Sequence, residues 1–352
     1  MKGLEWLKEK WPWGSSLTDE GLERELAAEI SRPWRGALVA CSLLLIGLLL
    51  LGWYWSQEPQ PFDVNQDHQG DSSLVTGAAT TATLIQVIDT VLEKPGGYLS
   101  NDVLPPGLWL DNLPNWEFGV LVQIRDLSKA MRESYSRSQS QSTEDADLAL
   151  AEPRFNVNHS SWAVPWPESE YAEGREHLRN YLNRLVDEDD YNAQFYARAD
   201  NLSYWLATVE TRLGSLSQRL SASVGQRRIN TDLSGAAGAK QSTSAPTELV
   251  VKTPWLEVDD IFYEARGTAW ALLHFLKAAE LDFADVLARK NAVASVRQIV
   301  RELEMTQQPV RSPIIVNGDG FGLVANHSLV MASYISRANA AIIDLRELLS
   351  RG

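Results

Sequence analysis

The sequence predicts a mainly α-helical protein, with one N-terminal transmembrane helix followed by a bundle of long helices that carries a small non-helical insertion. Two observations predict it. The run WRGALVACSLLLIGLLLLGWYW, from Trp34 to Trp55, holds a single charge, Arg35, at its very start. Beyond it, apolar residues recur at steps of three and four over most of the chain, the period of one face of a helix.

The apolar run is long enough to span a bilayer. At about 1.5 Å of rise per residue, roughly 20 residues cross a hydrocarbon core of about 30 Å. Trp34 and Arg35 at one edge, and Trp53, Tyr54 and Trp55 at the other, have side chains that prefer the headgroup level, so they are expected to anchor the two interfaces. A cleaved signal peptide would have a shorter apolar core, and no small-residue cleavage pattern follows Trp55 in SQEPQPFD. Arg24, Arg32 and Arg35 precede the core, whereas positions 56–75 carry Glu58, Asp63, Asp67 and Asp71 without Lys or Arg. The N-terminus is therefore expected in the cytoplasm and the remainder across the membrane. Gly36 with Ala40, and Ala37 with Cys41, permit a close helix–helix approach within the membrane.

Residues 1–33 read as a cytoplasmic stub. LTDEGLERELAAEI predicts a short amphipathic helix with Thr18 as its N-cap and Leu22, Leu26 and Ile30 on one face. The stub is too short for a signalling output domain. Its crowded rings, Trp6, Trp11 and Trp13, suit a membrane face or a partner.

Composition limits the function classes. Charged residues make up 22% of the 352 and hydrophobic ones 44%, the balance of a folded protein. The formal charge of -14 argues against nucleic acid as a partner. Seven of the acidic and six of the basic residues lie in the first 55 positions, so the acidic excess belongs to the distal part. The only cysteine, Cys41, lies in the apolar run and leaves no intramolecular disulfide.

After a polar spacer at 56–73, helical spacing predicts a helical region over 74–224. It begins with Leu84, Val87, Ile88 and Val91, stops at Pro95-Gly96-Gly97, and resumes through Trp116, Val120, Ile124, Leu127 and Met131. Between these helices, YLSNDVLPPGLWLDNLPNWEFG reads as an ordered loop and a buried aromatic plug, with Asn115 capping the next helix. SYSRSQSQSTEDAD reads as exposed loop. A further helix starts near Glu168 and ends at the acidic run Asp187 to Asp190. Leu202, Leu206, Val209, Leu213, Leu216 and Leu220 follow heptad spacing, and Tyr204 and Trp205 beside them favour a bundle core over a free coiled coil. Residues 225–254, small and polar, read as a flexible linker. The region 255–352 is expected to pack on the preceding one, with helices through Ile261 to Phe283, Val286 to Leu303 and Leu329 to Leu349. Pro313 to Val324 reads as strand, turn, strand with Gly318 and Gly320 at the turn.

Chemical motifs do not emerge. His68, His159, His177, His274 and His327 are scattered, with no second ligand at a zinc-like spacing, and His177 and His274 on their helices are expected to be satisfied locally or exposed. Gly318, Gly320 and Gly322 lack the Lys and Ser/Thr of a phosphate loop. Asp259 with Asp260 reads as helix capping, and Asp111 with Glu117 as a carboxylate pair without a cleft to serve. No catalytic, metal or cofactor residue is predicted. The one mixed aromatic and polar stretch, Trp109, Asp111, Asn112, Asn115 and Trp116, is the candidate interaction or pocket site.

KPGGYLSNDVLPPGLWLDNLPNWEFGVL, SRSQSQSTED, NAQFYARADNL and RLGSLSQRLSASVGQRR together resemble a proteobacterial inner-membrane family known as domain of unknown function 2333. The resemblance spans most of the chain, includes loop residues, and implies a Gram-negative inner membrane. It carries no activity and no site residue. The expected function is a membrane-anchored periplasmic helical module that binds a protein partner or a second copy of itself. The alternative is a periplasmic enzyme or ligand sensor for cell-wall, lipid or small-solute ligands, with its site in the loop 98–116.

Overall fold

A computed structural model describes residues 19–64, 75–138, 143–187, 192–229, 248–312, 314–319 and 323–351, with only the backbone of the helix described over 19–35. It divides into two units, 1–53 and 54–352. Among the described residues the architecture is mainly α, as the spacing predicts, with one small antiparallel sheet.

Helix α1, Asp19–Trp55, makes up the described part of the first unit and enters the second with its last two residues. The expected short helix before the apolar run is not separate. Pro33 sits in the helix interior without ending it. Thr18, the expected N-cap, lies outside the described residues. From Gly36 to Trp55 the mean hydropathy is 2.3 and only 6% of the apolar window is buried, so Leu38, Leu43, Leu44 and Leu50 stand exposed. A helix satisfies its own backbone hydrogen bonds, as a lipid-crossing segment must.

The second unit is a helical body. Its helices are α2 (Ala78–Glu93), α3 (Asn112–Ala130, continued by one π turn, Met131–Tyr135), α4 (Ala146–Phe155), α5 (Pro167–Val186) and α6 (Ala199–Ser221), then α7 (Val258–Asp282), α8 (Ala284–Arg289), α9 (Val293–Thr306) and α10 (His327–Ser350). Helix α4 is not foreseen by the spacing analysis, since Pro153 and few large apolar residues blur its period. Asp145 caps it, accepting from the Asp147 and Leu148 amides.

Side-chain partners fix the directions. α3 and α7 run parallel, with Asn115 beside Asp260 and, further along, the Tyr135 ring 5.4 Å from that of Phe283. α6 runs against α3, pairing Arg212 with Asp126 at 2.9 Å and Asn201 with Ser134 at 3.0 Å. α10 runs against α6, where Arg346 meets Glu210. α9 runs against α7, with Arg266 donating to the Thr306 carbonyl and Arg297 paired with Glu280. Ion pairs of Arg175 with Glu93 and Arg179 with Asp89 set α5 against α2, and those of Arg154 with Glu170 and Arg184 with Asp145 set α4 against α5. The described parts of the connections 94–111, 156–166, 222–257 and 307–326 therefore share one end of the body. The described parts of those at 75–77, 136–145, 187–198 and 283–292 share the other.

The core is continuous across the body. Leu202, Leu206, Val209, Leu213, Leu216 and Leu220 are all buried and Trp205 with them, while Tyr204 stays half exposed and donates to Glu133. α7 is buried almost all round, from Ala265 to Ala279. It crosses α3 at two glycines: a Cβ on Gly267 would stand 2.0 Å from the Trp116 carbonyl oxygen, and one on Gly119 2.1 Å from that of Glu264. Backbones this close admit only glycine. His274 is satisfied locally, with one ring nitrogen 2.6 Å from the Trp270 carbonyl oxygen and the other accepting from the Phe62 amide at 3.0 Å.

Two expected loops differ. The segment read as a flexible linker begins and ends in an antiparallel pair, β1 (Gln226–Ile229) and β2 (Glu248–Val251), because β-branched and long side chains flank its small polar centre. The centre, 230–247, lies outside the described residues. The expected strands near Gly318 reduce to one bridge, Asn317 with Asn326; Gly320 is outside the described residues.

Candidate functional site

The end of the body that bears the 94–111 connection holds Trp109, Asp111, Asn112, Asn115 and Trp116. Its foundation is a buried ion pair: Lys94 and Glu117 meet with side chains almost fully enclosed. Glu117 also accepts from the amides of Leu99 at 2.9 Å and Ser100 at 2.9 Å, and from the Ser100 hydroxyl, while Lys94 donates to the Gly97 carbonyl. Burial pushes the Glu117 carboxyl up, and Lys94, Ser100 and the Leu99 amide pull it back. The two turns after Pro95 are thus pinned to α3 from inside. Asn101 then bridges outward, donating to the Ser161 carbonyl at 3.2 Å and to Glu168 at 3.0 Å, and the Tyr98 hydroxyl donates to the His159 carbonyl at 3.0 Å.

Asp111, not Asn115, caps α3, accepting from the Asn112 amide at 2.9 Å. Asn112 is the first helical residue, and Pro114 is tolerated because a first-turn amide needs no partner within the helix. The Asn115 side chain instead donates to Asp260 at 2.7 Å and to the Asp111 carbonyl at 3.0 Å. Asp259 and Asp260 do not cap α7 either. Glu257 holds the cap position without a side-chain bond, and the two aspartates occupy the first turn, where the helix dipole favours them. Burial, then the neighbouring Asp259, Asp111 and Glu257 charges, push Asp260 up to about 6.

Trp116 is fully buried and packs edge-on against Trp270, with ring centroids 5.2 Å apart. It belongs to the core and is closed to any ligand, because the close α3–α7 crossing leaves no space around it. Trp109, by contrast, is half exposed, so the aromatic plug expected here is closed only on its Trp116 side. A cleft of about 370 Å³ lies at the same end, between α7, α9 and α10, lined by Phe262, Met305, Val310, His327 and Met331. Arg266 borders it, but its guanidinium is taken by Glu58 at 2.7 Å and by the Thr306 and Gln308 carbonyls.

Sequence reasoning missed a further group: Trp162, Trp166, Trp255 and Leu256, all large and exposed, on the connections that share this end. The available signal was the placement of tryptophans in Pro-containing connections instead of helix faces. Among the described residues, no group of three or more His, Cys, Asp or Glu is arranged to hold a metal ion. Most carboxylates here serve structure, as cap, ion-pair partner or loop anchor, so the end offers an apolar, aromatic surface.

Residues 28–352 match the family described as uncharacterized protein conserved in bacteria, DUF2333. The chain belongs to this family. No curated protein and no solved structure matches this DUF2333 chain.

Proposed function

We propose that this DUF2333 chain is a single-pass protein of the bacterial inner membrane that holds its helical body in the periplasm, where it acts by binding a protein partner or a second copy of itself. The observation that carries this reading is the exposed apolar stretch Gly36–Trp55, which leads without a break in the chain into a body with its own core. Exposing that much apolar surface to water is unfavourable, at about 25 cal/mol per Å². A lipid surrounding removes the cost. The non-enzymatic part is supported by how the candidate polar groups are spent: Asp111 caps a helix, Asn115 ties Asp260, and Glu117 is neutralised by Lys94.

A reporter fused after Gly352 tests the orientation. Alkaline phosphatase is expected to be active and green fluorescent protein dark, and the reverse pattern overturns the reading. Light scattering in nanodiscs, with mass spectrometry of co-purifying proteins, tests the interaction. A strict monomer with background proteins only would contradict it.

The ligand-binding alternative draws on one observation, the apolar cleft walled by Phe262, Met305 and Met331. An apolar dye that brightens with the chain but not with a Met331→Trp variant filling the cleft would favour it.

A further inference from the structure

We propose that the end of the helical body where the chain leaves the membrane is itself a lipid-docking surface, its exposed tryptophans and leucines lying in the interfacial layer beside the anchor. This inference rests on the membrane-anchored reading and adds a second, non-covalent contact with the same bilayer.

Three observations carry it. First, Trp55, the last residue of the apolar stretch, lies against Gly96: a Cβ there would stand 2.8 Å from the indole. The chain then runs along α7 away from that end. Glu58 pairs with Arg266, the Phe62 ring stacks on His274 at 3.9 Å, and Val64 reaches Ala278. The exit point and the 94–111 connection therefore share one end, and a residue closing a transmembrane helix sits at headgroup level.

Second, the two ends differ in surface. The connections at the Trp55 end expose Leu108, Trp109, Trp162, Trp166, Trp255 and Leu256, with Trp162 at 71% and Leu256 at 77%. The connections at the opposite end expose no large apolar side chain among the described residues. Scattered exposed apolar residues are ordinary on soluble proteins. The confinement of the exposed indoles of the body, among the described residues, to the one end that Trp55 joins is not.

Third, the exposed groups are chiefly indoles and leucines on loops held rigid from below. Glu117 pins the 94–111 connection, Asn101 ties it to Ser161 and Glu168, and Asn115 ties α3 to the start of α7. Indole rings partition to the interface, and apolar groups there sink about 5–10 Å into the headgroup and acyl boundary. The acidic groups between them, Asp111, Glu257 and Asp259, would be repelled by anionic headgroups. Apolar insertion drives the docking, and zwitterionic lipid suffices.

The test uses the full chain in phosphatidylcholine nanodiscs. In a Cys41→Ser background, single cysteines at Trp166→Cys, Leu256→Cys and, as a control at the opposite end, Leu281→Cys carry an environment-sensitive nitrobenzoxadiazole label. Lipids with a nitroxide near the headgroup quench it on contact. All three positions are exposed, so the substitutions leave the core intact. Quenching is expected to be several-fold stronger at 166 and 256 than at 281. Unsubstituted chain labelled at Cys41 and probed with a deep nitroxide reports the anchor separately. Strong quenching at Cys41 with 166 and 256 no different from 281 overturns lipid docking while the anchor stands. Absence of quenching at Cys41 overturns the anchor. A blue-shifted but unquenched label at 166 shows that protein covers the surface, and this also overturns the proposal.

Discussion

The two ends of the helical body are built with the same internal device and finished with opposite surfaces. At the Trp55 end, the buried Glu117 gathers the Leu99 and Ser100 amides and the Lys94 ammonium. At the other, Asp282 gathers the Gly77 amide at 2.8 Å and the Thr80 amide at 2.6 Å to start α2, where Gly77 takes a φ of 95°. Each carboxylate ties the backbone of a connection to the helix bundle. Only the first end then covers itself with Trp109, Trp162, Trp166 and Trp255. The clamp at the Asp282 end is built without exposed rings, so the clamp at the Trp55 end does not by itself require them.

The comparison is broken most severely by Glu117→Gln. It leaves the Lys94 charge buried without a counter-charge, and unfolding by denaturant is expected to show a loss of about 3–5 kcal/mol. Lys94→Met in the same chain is expected to recover part of it; a small loss in the single variant would mean that water reaches the pair.

Acid acts next, through the middle of α7. Burial first, and the Lys277 charge, hold the His274 imidazole down at about 4 against an ordinary 6.5. The folded state therefore resists a proton that the unfolded chain accepts. Stability is full above pH 6.5 and falls as the pH drops toward 4, by up to about 3 kcal/mol from this group. His274→Gln is expected to flatten that part of the slope, measured as denaturation midpoint against pH.

Asp282→Asn separates the two clamps. With no cation paired to Asp282 among the described residues, the variant loses one charge-assisted acceptor and is expected to cost about 1.5–3 kcal/mol, less than its Glu117 counterpart. Equal losses at both ends would remove the special weight given to the Lys94 pair. The smallest effect belongs to the surface: Trp162→Ser is expected to stay within about 0.5 kcal/mol of the parent in detergent. A larger loss would show that the ring supports the fold.

Periodicity made the long helices legible, because α3, α5, α6, α7 and α10 each bury a stripe or more of large apolar residues. The stripe of α6 was read residue by residue, and its burial in a bundle follows from Trp205. Helix α4 stayed hidden because ten residues with an internal proline carry too short a pattern. Asp111 and Asn115 meet the first turn of α7 through Asp260, a tertiary contact that no spacing rule shows, whereas the burial of Trp116 follows the same spacing that runs on through Val120 and Ile124. The pairing of Lys94 with Glu117 spans a loop whose path depends on tertiary contacts, so the sequence pattern offered Glu117 only as a carboxylate near Asp111. The exposed tryptophans of 156–166 and 255–257 gain their meaning from sharing an end, which becomes visible only when the helix directions are known.

The most direct test of the account is the fate of the full chain when membranes are washed at alkaline pH. The account predicts that the chain stays with the lipid pellet, and that a Leu45→Lys variant, costing about 2.5–3.5 kcal/mol of insertion free energy, is partly released. Release of the parent chain into the supernatant would contradict it.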